Sequence, residues 1–393
     1  MLSVADAQAR LLALAHPGAV EQVPLVDAVG RWAAEPILAR RDQPAADLSA
    51  MDGYALRFAD LPGPWTIVGE SAAGAGLDRA VGEGEAARIF TGAPLPDGAD
   101  TILIQEETTR DGDRLLLTGD APAYRGLHVR RRGGDFRTGA TLIDVGVPLT
   151  PARIALAAAA GHGTLPVRRR PRVAIISTGD ELVPPGVPTH GVMLPASNGP
   201  MLATLLATSA AEVEDAGIVR DELATLAVTL AATAERADIL VTIGGASVGD
   251  RDLVRPALEQ AGATLDFWKV AMRPGKPLIA GRIGKTIVLG LPGNPVSAFV
   301  TACLFLRPLV DHLAGSPAPL PKARTLPLAA PLPANGPRAA YLRGIVRGHA
   351  VHIAENQDSA GLSVLATADG LAVRPAGAPA ADAGTLIEII DIA

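Results

Sequence analysis

The chain has 393 residues, which at ~150 residues per domain predicts two to four domains. Its 35 Lys and Arg against 41 Asp and Glu leave a net charge of −6, and only 3% of residues are aromatic; a general affinity for nucleic acid, which needs a basic face or stacking platforms, is excluded. The 48% hydrophobic content supports sizeable cores, and the single cysteine, Cys303, excludes a disulfide framework or a cysteine-cluster zinc site.

The start, Met1 to Asp6, lacks the basic and apolar regions of a signal peptide. Apolar runs such as Ala298 to Leu306 fall short of the ~20 residues that span a bilayer. The expectation is a soluble cytoplasmic chain with neither a membrane nor a nucleic-acid partner.

Residues 3–15 carry Ser3 as a cap before Val4, Leu11, Leu12 and Leu14, which predicts an amphipathic helix. A second short helix is predicted from Asp27 to Ala34, before Pro36. From about residue 45 to 135, short apolar runs (Trp65 to Val68, Ala86 to Phe90, Thr101 to Ile104, Leu115 to Thr118) alternate with Gly, Pro and Asp, and Asp111-Gly112 marks a hairpin. Pro151 to Ala160 then reads as a helix that ends at Gly161. The β-rich stretch is therefore an insertion in a helical unit.

From Arg172, strand-like runs (Val173 to Ile176, Glu212 to Val219, Ile239 to Ile243, Leu265 to Val270, Thr286 to Leu289) alternate with helical ones (Gly199 to Thr208, Leu223 to Arg236, Leu253 to Gln260, Val296 to Ala314). That alternation predicts a parallel sheet covered by helices, with a hairpin near Gly284 as the exception. Seven prolines between Gly315 and Pro337 make a linker, and short β runs after it predict a C-terminal barrel or sandwich. The expected architecture is a multidomain α/β protein. It has a discontinuous helical and extended unit (1–44 and 137–168), an inserted β-rich unit (45–136), a central α/β unit (169–316) and a C-terminal β-barrel (317–393).

Ligands of open parallel sheets bind beyond the carboxyl ends of the strands. Three turns sit at such ends: Ser177-Thr178-Gly179-Asp180-Glu181-Leu182, Gly244 to Asp252, and Leu291-Pro292-Gly293-Asn294-Pro295. Glycine allows close backbone approach and helix N-termini attract anions, so the trio predicts a phosphate-bearing ligand. Asp180, Glu181, Asp250, Asp252 and Asp221 lie in or near these turns, where carboxylates beside phosphates hold Mg²⁺ or serve as turn and capping groups. Lys269, Arg273 and Lys276 form a cationic cluster suited to an oxyanion, or a solvated loop. Arg130-Arg131-Arg132 reads as a surface charge run.

Other motifs fail on context. Gly245-Ala246-Ser247-Val248-Gly249 fits a nucleophile elbow, but no histidine is suitably placed downstream: His312 lies within a helix, and His349 and His352 in the C-terminal unit. Gly281 to Thr286 ends like a P-loop, but Ile279 stands where the first glycine belongs and a strand follows.

Ser49-Ala50-Met51-Asp52-Gly53-Tyr54-Ala55, Thr91 to Asp100, Ser177 to Leu182, Gly244 to Asp252 and Gly290 to Ser297 are together similar to the molybdopterin molybdenumtransferases, the MoeA family shared with the gephyrin E domain. The resemblance implies insertion of molybdenum from molybdate into the dithiolene of adenylated molybdopterin, with Mg²⁺-dependent release of AMP. It implies functional roles for Asp52, Thr91, Asp135, Glu181, Asp221, Asp252, Lys269 and Arg273, with Glu181, Asp221 and Asp252 handling Mg²⁺ and pyrophosphate. The substrate-binding set is Ser177, Thr178, Gly179, Gly244, Gly245, Ser247, Gly249, Lys276, Pro292, Gly293, Asn294 and Pro295. Arg273 stands where the family often has Lys, which keeps the charge and changes donor geometry. The resemblance also implies a homodimer, with Asp52 and Thr91 acting over the partner's α/β unit. Its pathway partners are molybdopterin adenylyltransferase and the molybdoenzymes. The alternatives are adenylation of molybdopterin by the same α/β unit, and a non-enzymatic scaffold.

Overall fold

A computed structural model describes residues 1–245 and 252–392. The central sheet runs Glu212–Val219, Arg172–Thr178, Ile239–Ile243, Thr286–Leu291, Pro277–Ile283, Ala263–Lys269 in spatial order. The first four strands are parallel; the hairpin turned at Gly284 makes Pro277–Ile283 antiparallel to both neighbours. Every residue of Ile239–Ile243 and Thr286–Leu291 is buried. That is why these strands read as unbroken apolar runs: helices cover both faces. One apolar cluster holds Val173, Ile175, Val241 and Leu289 with the helix that follows Pro295; a second, on the other face, holds Ile176, Leu240 and Val288 with Leu226, Leu230 and Leu258.

The helix Val4–Ala13 is capped by the Ser3 hydroxyl, which accepts from Asp6 N. Its apolar face, Ala7 and Leu11, packs into the first of these clusters beside Leu304 and Leu309. Pro308 has no N–H to give to the Leu304 carbonyl, and Gln8 Nε2 donates to it instead at 2.8 Å. The helix Pro295–Leu313 is long and apolar enough by composition to cross a membrane, and 78% of that window is buried inside the protein. It outruns the apolar stretch read from sequence because Arg307, Asp311 and His312 interrupt the apolar run but not the helix. Residues Ala302–Leu306 within it are wound as π-helix.

The helix expected over Asp27 to Ala34 is only Leu25–Ala28. Gly30, at φ +76°, turns the chain, and Trp32 and Ala33 then pair with Pro148 and Val167. Strand Val20–Pro24 pairs with Thr164–Arg168, Ile37–Leu38 with Thr141–Ile143, and helix Pro151–Ala159 packs on Ile37, Leu149 and Leu165. Between these segments the chain makes a six-stranded excursion, ordered Thr101–Ile104, Gly53–Leu56, Glu85–Ile89, Trp65–Ser71, Arg114–Leu117, Thr108–Asp111. The Asp111-Gly112 hairpin is present.

The neck of the excursion is a polar clamp. Gln43 N donates to Phe136 O, and Gly133 N to Pro44 O. Asp42 accepts from Thr138 N and Oγ1 and from Arg132, while Asp47 accepts from Arg131 and Arg132 N. The Thr138 N–H, then Arg132, holds the Asp42 carboxyl down at about 2. Two members of the arginine run thus pin the neck rather than lie loose on the surface.

Ala323–Pro327, Leu386–Asp391, Gly370–Arg374, Ala339–Arg347 and Ala350–Ile353 form the C-terminal sheet, and a bridge from Leu328 to Val351 closes it into a small barrel. Met272–Arg273, from the α/β region, adds to it as a strand parallel to Ala339–Arg347. Replacing Gln8 with Leu strands the Leu304 carbonyl in an apolar core. The expected loss is about 1–3 kcal/mol of unfolding free energy, read by chemical denaturation.

Candidate functional site

Adjacent strands are in register where the three turns begin: Ser177 pairs with Ile243, and Ile243 with Leu291. The turns therefore leave the sheet side by side. The central pair flanks the switch point, since the chain runs from Arg172–Thr178 outward to Glu212–Val219 and then returns to Ile239–Ile243 on the other side. Contact between the first two turns is tight, since a Cβ placed on Gly244 would lie 2.6 Å from the Thr178 carbonyl oxygen, while one on Gly293 would meet Gly244 Cα at an ordinary 3.5 Å. Gly244 (φ +102°) and Gly245 (φ +55°) also occupy backbone conformations that side chains disfavour. Ser177 and Thr178 are buried, and Thr178 Oγ1 donates to Ile243 O, so their side chains brace the turns. Ser247 and Gly249 lie outside the described residues.

The acidic groups gather beside the first turn. Asp221 N donates to Asp180 Oδ1 at 3.3 Å. Asp221 keeps solvent contact, yet partial burial, then the Asp180 and Glu181 carboxylates, and more weakly Asp252, push its carboxyl above the ordinary range. Glu181, Asp221 and Asp252 thus share one electrostatic neighbourhood. Among the described residues no three acidic, His or Cys groups stand close enough to enclose a metal ion. A cavity of about 630 Å³ flanks this turn, lined by Gly179, Asp180, Pro184, Met193, Asp215 and Arg220.

The helix predicted from Gly199 to Thr208 is present, begins one residue earlier, and is separated from the first turn by a short strand pairing. Leu182–Val183 pairs with Leu194–Pro195, and the helix Asn198–Leu206 starts only afterwards. Its first residue serves the third turn: Asn198 Nδ2 donates to Gly293 O at 2.7 Å, while Asn198 Oδ1 is buried with no partner among the described residues. Pro295 is the first residue of the helix Pro295–Thr301, where a missing N–H costs nothing. The C-terminal unit reaches the same turn, for Asn294 Nδ2 donates to Ser359 Oγ and Val296 N to Ser359 O, both at 3.0 Å. Ser359 is delivered by a loop held on Arg343, which is 1% exposed and donates to Asn356 O and Asp358 O. Neither Ser359, Asn198 nor Arg343 carries a local sequence signal, because each acts through a contact distant along the chain.

The cationic loop is spread out. Lys269 lines a cavity of about 600 Å³ with Met1, Arg10 and Arg255. Lys276 is exposed. Arg273 donates through one nitrogen to Asn335 Oδ1 at 2.9 Å. Cys303 is buried, and desolvation pushes its thiol up to about 12, so it stays protonated and cannot serve as a soft metal ligand.

Asp52 and Thr91 form a compact pair in the inserted unit. Asp52 Oδ1 accepts from Thr91 N at 2.7 Å and Oγ1 at 2.8 Å, which, with the Arg88 charge adding less, holds its carboxyl below the usual range. Arg88 lies over the Tyr54 and Phe90 rings and donates to Gly53 O and Gln105 Oε1. Among the described residues, no recorded hydrogen bond joins Asp52 or Thr91 to the glycine turns. Asp135 lies at the neck, exposed, with its N–H donating to Gln43 O.

Three family models match the chain: "MoeA N-terminal region (domain I and II)" over residues 2–161, "Probable molybdopterin binding domain" over 174–312, and "MoeA C-terminal region (domain IV)" over 325–392. The molybdopterin molybdenumtransferase of Haemophilus influenzae is 36% identical over 318 residues, 80% of this chain and 78% of that protein. Molybdopterin molybdenumtransferase 2 of Mycobacterium tuberculosis is 35% identical over 384 residues, 94% of each. Two crystal structures of the molybdopterin biosynthesis MoeA protein of Pyrococcus horikoshii cover 100% of this chain, and 99% and 100% of theirs, with TM-scores of 0.87 and 0.85 at 29% and 25% identity.

The raised Asp221 carboxyl sets a sign for stability. A group that binds its proton more tightly when folded destabilises the fold where it is ionised, and that penalty is relieved as pH falls through the folded value. Asp221→Asn should therefore raise the melting temperature at neutral pH. The gain should vanish below about pH 3.9, where the wild-type carboxyl is already protonated; equal gains at both pH values contradict the crowding of charge.

Proposed function

The chain belongs to the MoeA family of molybdopterin molybdenumtransferases, and on that premise we propose how its residues divide the work. It is a transferase of molybdenum cofactor biosynthesis, with molybdopterin and molybdate as substrates. The finer reading is that adenylated molybdopterin lies across the three glycine turns, where its pyrophosphate meets backbone and acidic groups. The observation that supports it best is the register of Ser177, Ile243 and Leu291, which lines the turns up at the switch point. Adenylation of molybdopterin by the α/β unit alone is not favoured, because the N-terminal and C-terminal family regions are both present.

The acidic neighbourhood fits a divalent cation, because its carboxylates repel one another. Mg²⁺ needs only one or two carboxylates when substrate phosphates and waters complete its shell. Glu181, Asp221 and Asp252 would hold it, and when bound it supplies charge neutralisation on the pyrophosphate as AMP leaves. The chain's own groups bind and orient: the glycine turns admit the anionic backbone of the substrate, and Asn198 and Ser359 fix the third turn. Molybdenum prefers soft ligands; with Cys303 buried and protonated, both sulfurs come from the substrate's dithiolene.

Asp52 and Thr91 are preassembled in a unit of their own, which supports a homodimer in which that pair completes the partner's site. Molybdoenzymes receive the product, and molybdopterin adenylyltransferase supplies the substrate.

Asp252→Ala should abolish molybdate-dependent AMP release, by roughly 10²-fold or more, with the circular dichroism and melting curve unchanged. Turnover at the wild-type rate would remove Asp252 from the site. Mixing inactive Asp52→Ala with inactive Asp252→Ala should restore activity if the site is shared between subunits, because mixed dimers then hold one intact site. Failure of the mixture to recover any AMP release rejects the shared site.

A further inference from the structure

Beside the apolar packing of Tyr341, Leu365 and Leu371 into the α/β core, two polar joints link the α/β and C-terminal units among the described residues. At one joint, Met272–Arg273 pairs with Ala339 and Ala340. At the other, Ser359 holds Asn294 and Val296 at the third turn. The joints are linked within each unit: Arg343, three residues beyond Ala340, grips the loop that carries Ser359, while Gly275, two residues beyond Arg273, lies against Thr301 of the helix that starts at the third turn. Arg273 therefore sits in a closed circuit of contacts that includes the third turn.

Asn335 is held unusually firmly for a loop side chain. Its Nδ2 donates to Arg338 O at 2.9 Å, Arg374 O at 3.0 Å and Pro375 O at 2.7 Å. With the two amide hydrogens shared among three carbonyls, the orientation of the group is set, and Oδ1 is left to accept from Arg273. A guanidinium has five N–H donors in a planar fork, so anchoring one nitrogen leaves others to bind and removes much of the side chain's freedom. An ammonium at this position has no second edge to offer. We infer that Asn335 is a positioning residue that holds the Arg273 guanidinium as a preoriented fork for the tetrahedral oxyanion substrate, an inference that rests on molybdate as the substrate and on Arg273 as one of the cations that meet it. Asn335 makes no contact with substrate; it acts through Arg273, and its benefit is a lower cost of ordering on binding.

The test is AMP release by the full-length protein at saturating adenylated molybdopterin, with molybdate titrated. Asn335→Ala should raise half-saturating molybdate about tenfold, the scale of one hydrogen bond to a charged group, and leave the rate at saturating molybdate near wild type. Arg273→Ala should raise it at least as much, and adding Asn335→Ala to Arg273→Ala should change nothing further. If the Asn335→Ala effect persists in the Arg273→Ala background, Asn335 acts through loop folding and the inference falls. If Arg273→Ala weakens molybdate and Asn335→Ala does not, the inference falls while the oxyanion role of Arg273 stands. If Arg273→Ala leaves the molybdate dependence untouched, both fall; absence of molybdate-dependent release in the wild-type protein overturns the functional reading itself. Should Asn335→Ala fail to fold, Arg273→Lys carries the test, since it keeps the charge and discards the fork: an unchanged half-saturation overturns the inference and a comparable rise supports it.

Discussion

Parallel strands packed on both faces cannot slip, and that constraint underlies the site. A shift of one residue in Ile239–Ile243 would exchange the side chains facing Leu226 and Leu230 with those facing the long helix after Pro295. Because Val241 and Leu240 are committed to opposite cores, the strand ends are committed too, and the three turns emerge level with one another. Backbone then has to approach backbone between Thr178 and Gly244, and only glycine tolerates that approach. The candidate ligand surface is in this sense a consequence of core packing beneath it.

The units around the sheet are attached by different kinds of contact. The N-terminal helix is bound by apolar packing, together with the Gln8 hydrogen bond that satisfies a carbonyl beside Pro308. The inserted β unit hangs from a neck of ion pairs and main-chain hydrogen bonds, exposed to solvent and hence sensitive to salt. The C-terminal barrel touches the third turn directly through Ser359, and shares a strand pairing through Met272–Arg273. The unit carrying Asp52 and Thr91 is thus held at a narrow polar junction, whereas the unit carrying Ser359 is built into the wall of the site.

The chemistry follows the same division. The protein offers hard oxygen donors and glycine backbone near the strand ends, and its one thiol is locked in the interior. A metal that favours sulfur finds no accessible thiol on the described chain, which agrees with a substrate that brings its own sulfur.

Much of this was legible in the linear chain. Alternating strand and helix texture after Arg172, the hairpin at Gly284, the Asp111-Gly112 turn and the helix after Thr150 all depend on neighbours a few residues away, so local pattern determines them. Glycines at three strand ends marked the candidate ligand edge for the same reason. Tertiary structure decided the rest. Gly30 and the pairing of Trp32 and Ala33 with Pro148 and Val167 cut short a helix that its composition favoured. The chain between Glu181 and Asn198 makes a strand pairing of its own, and the helix behind it hands its first residue to the third turn. Asn294 meets Ser359, and Arg273 meets Asn335, across more than sixty positions of chain. No periodicity records such meetings, because they depend on where whole units come to rest rather than on the residues beside them.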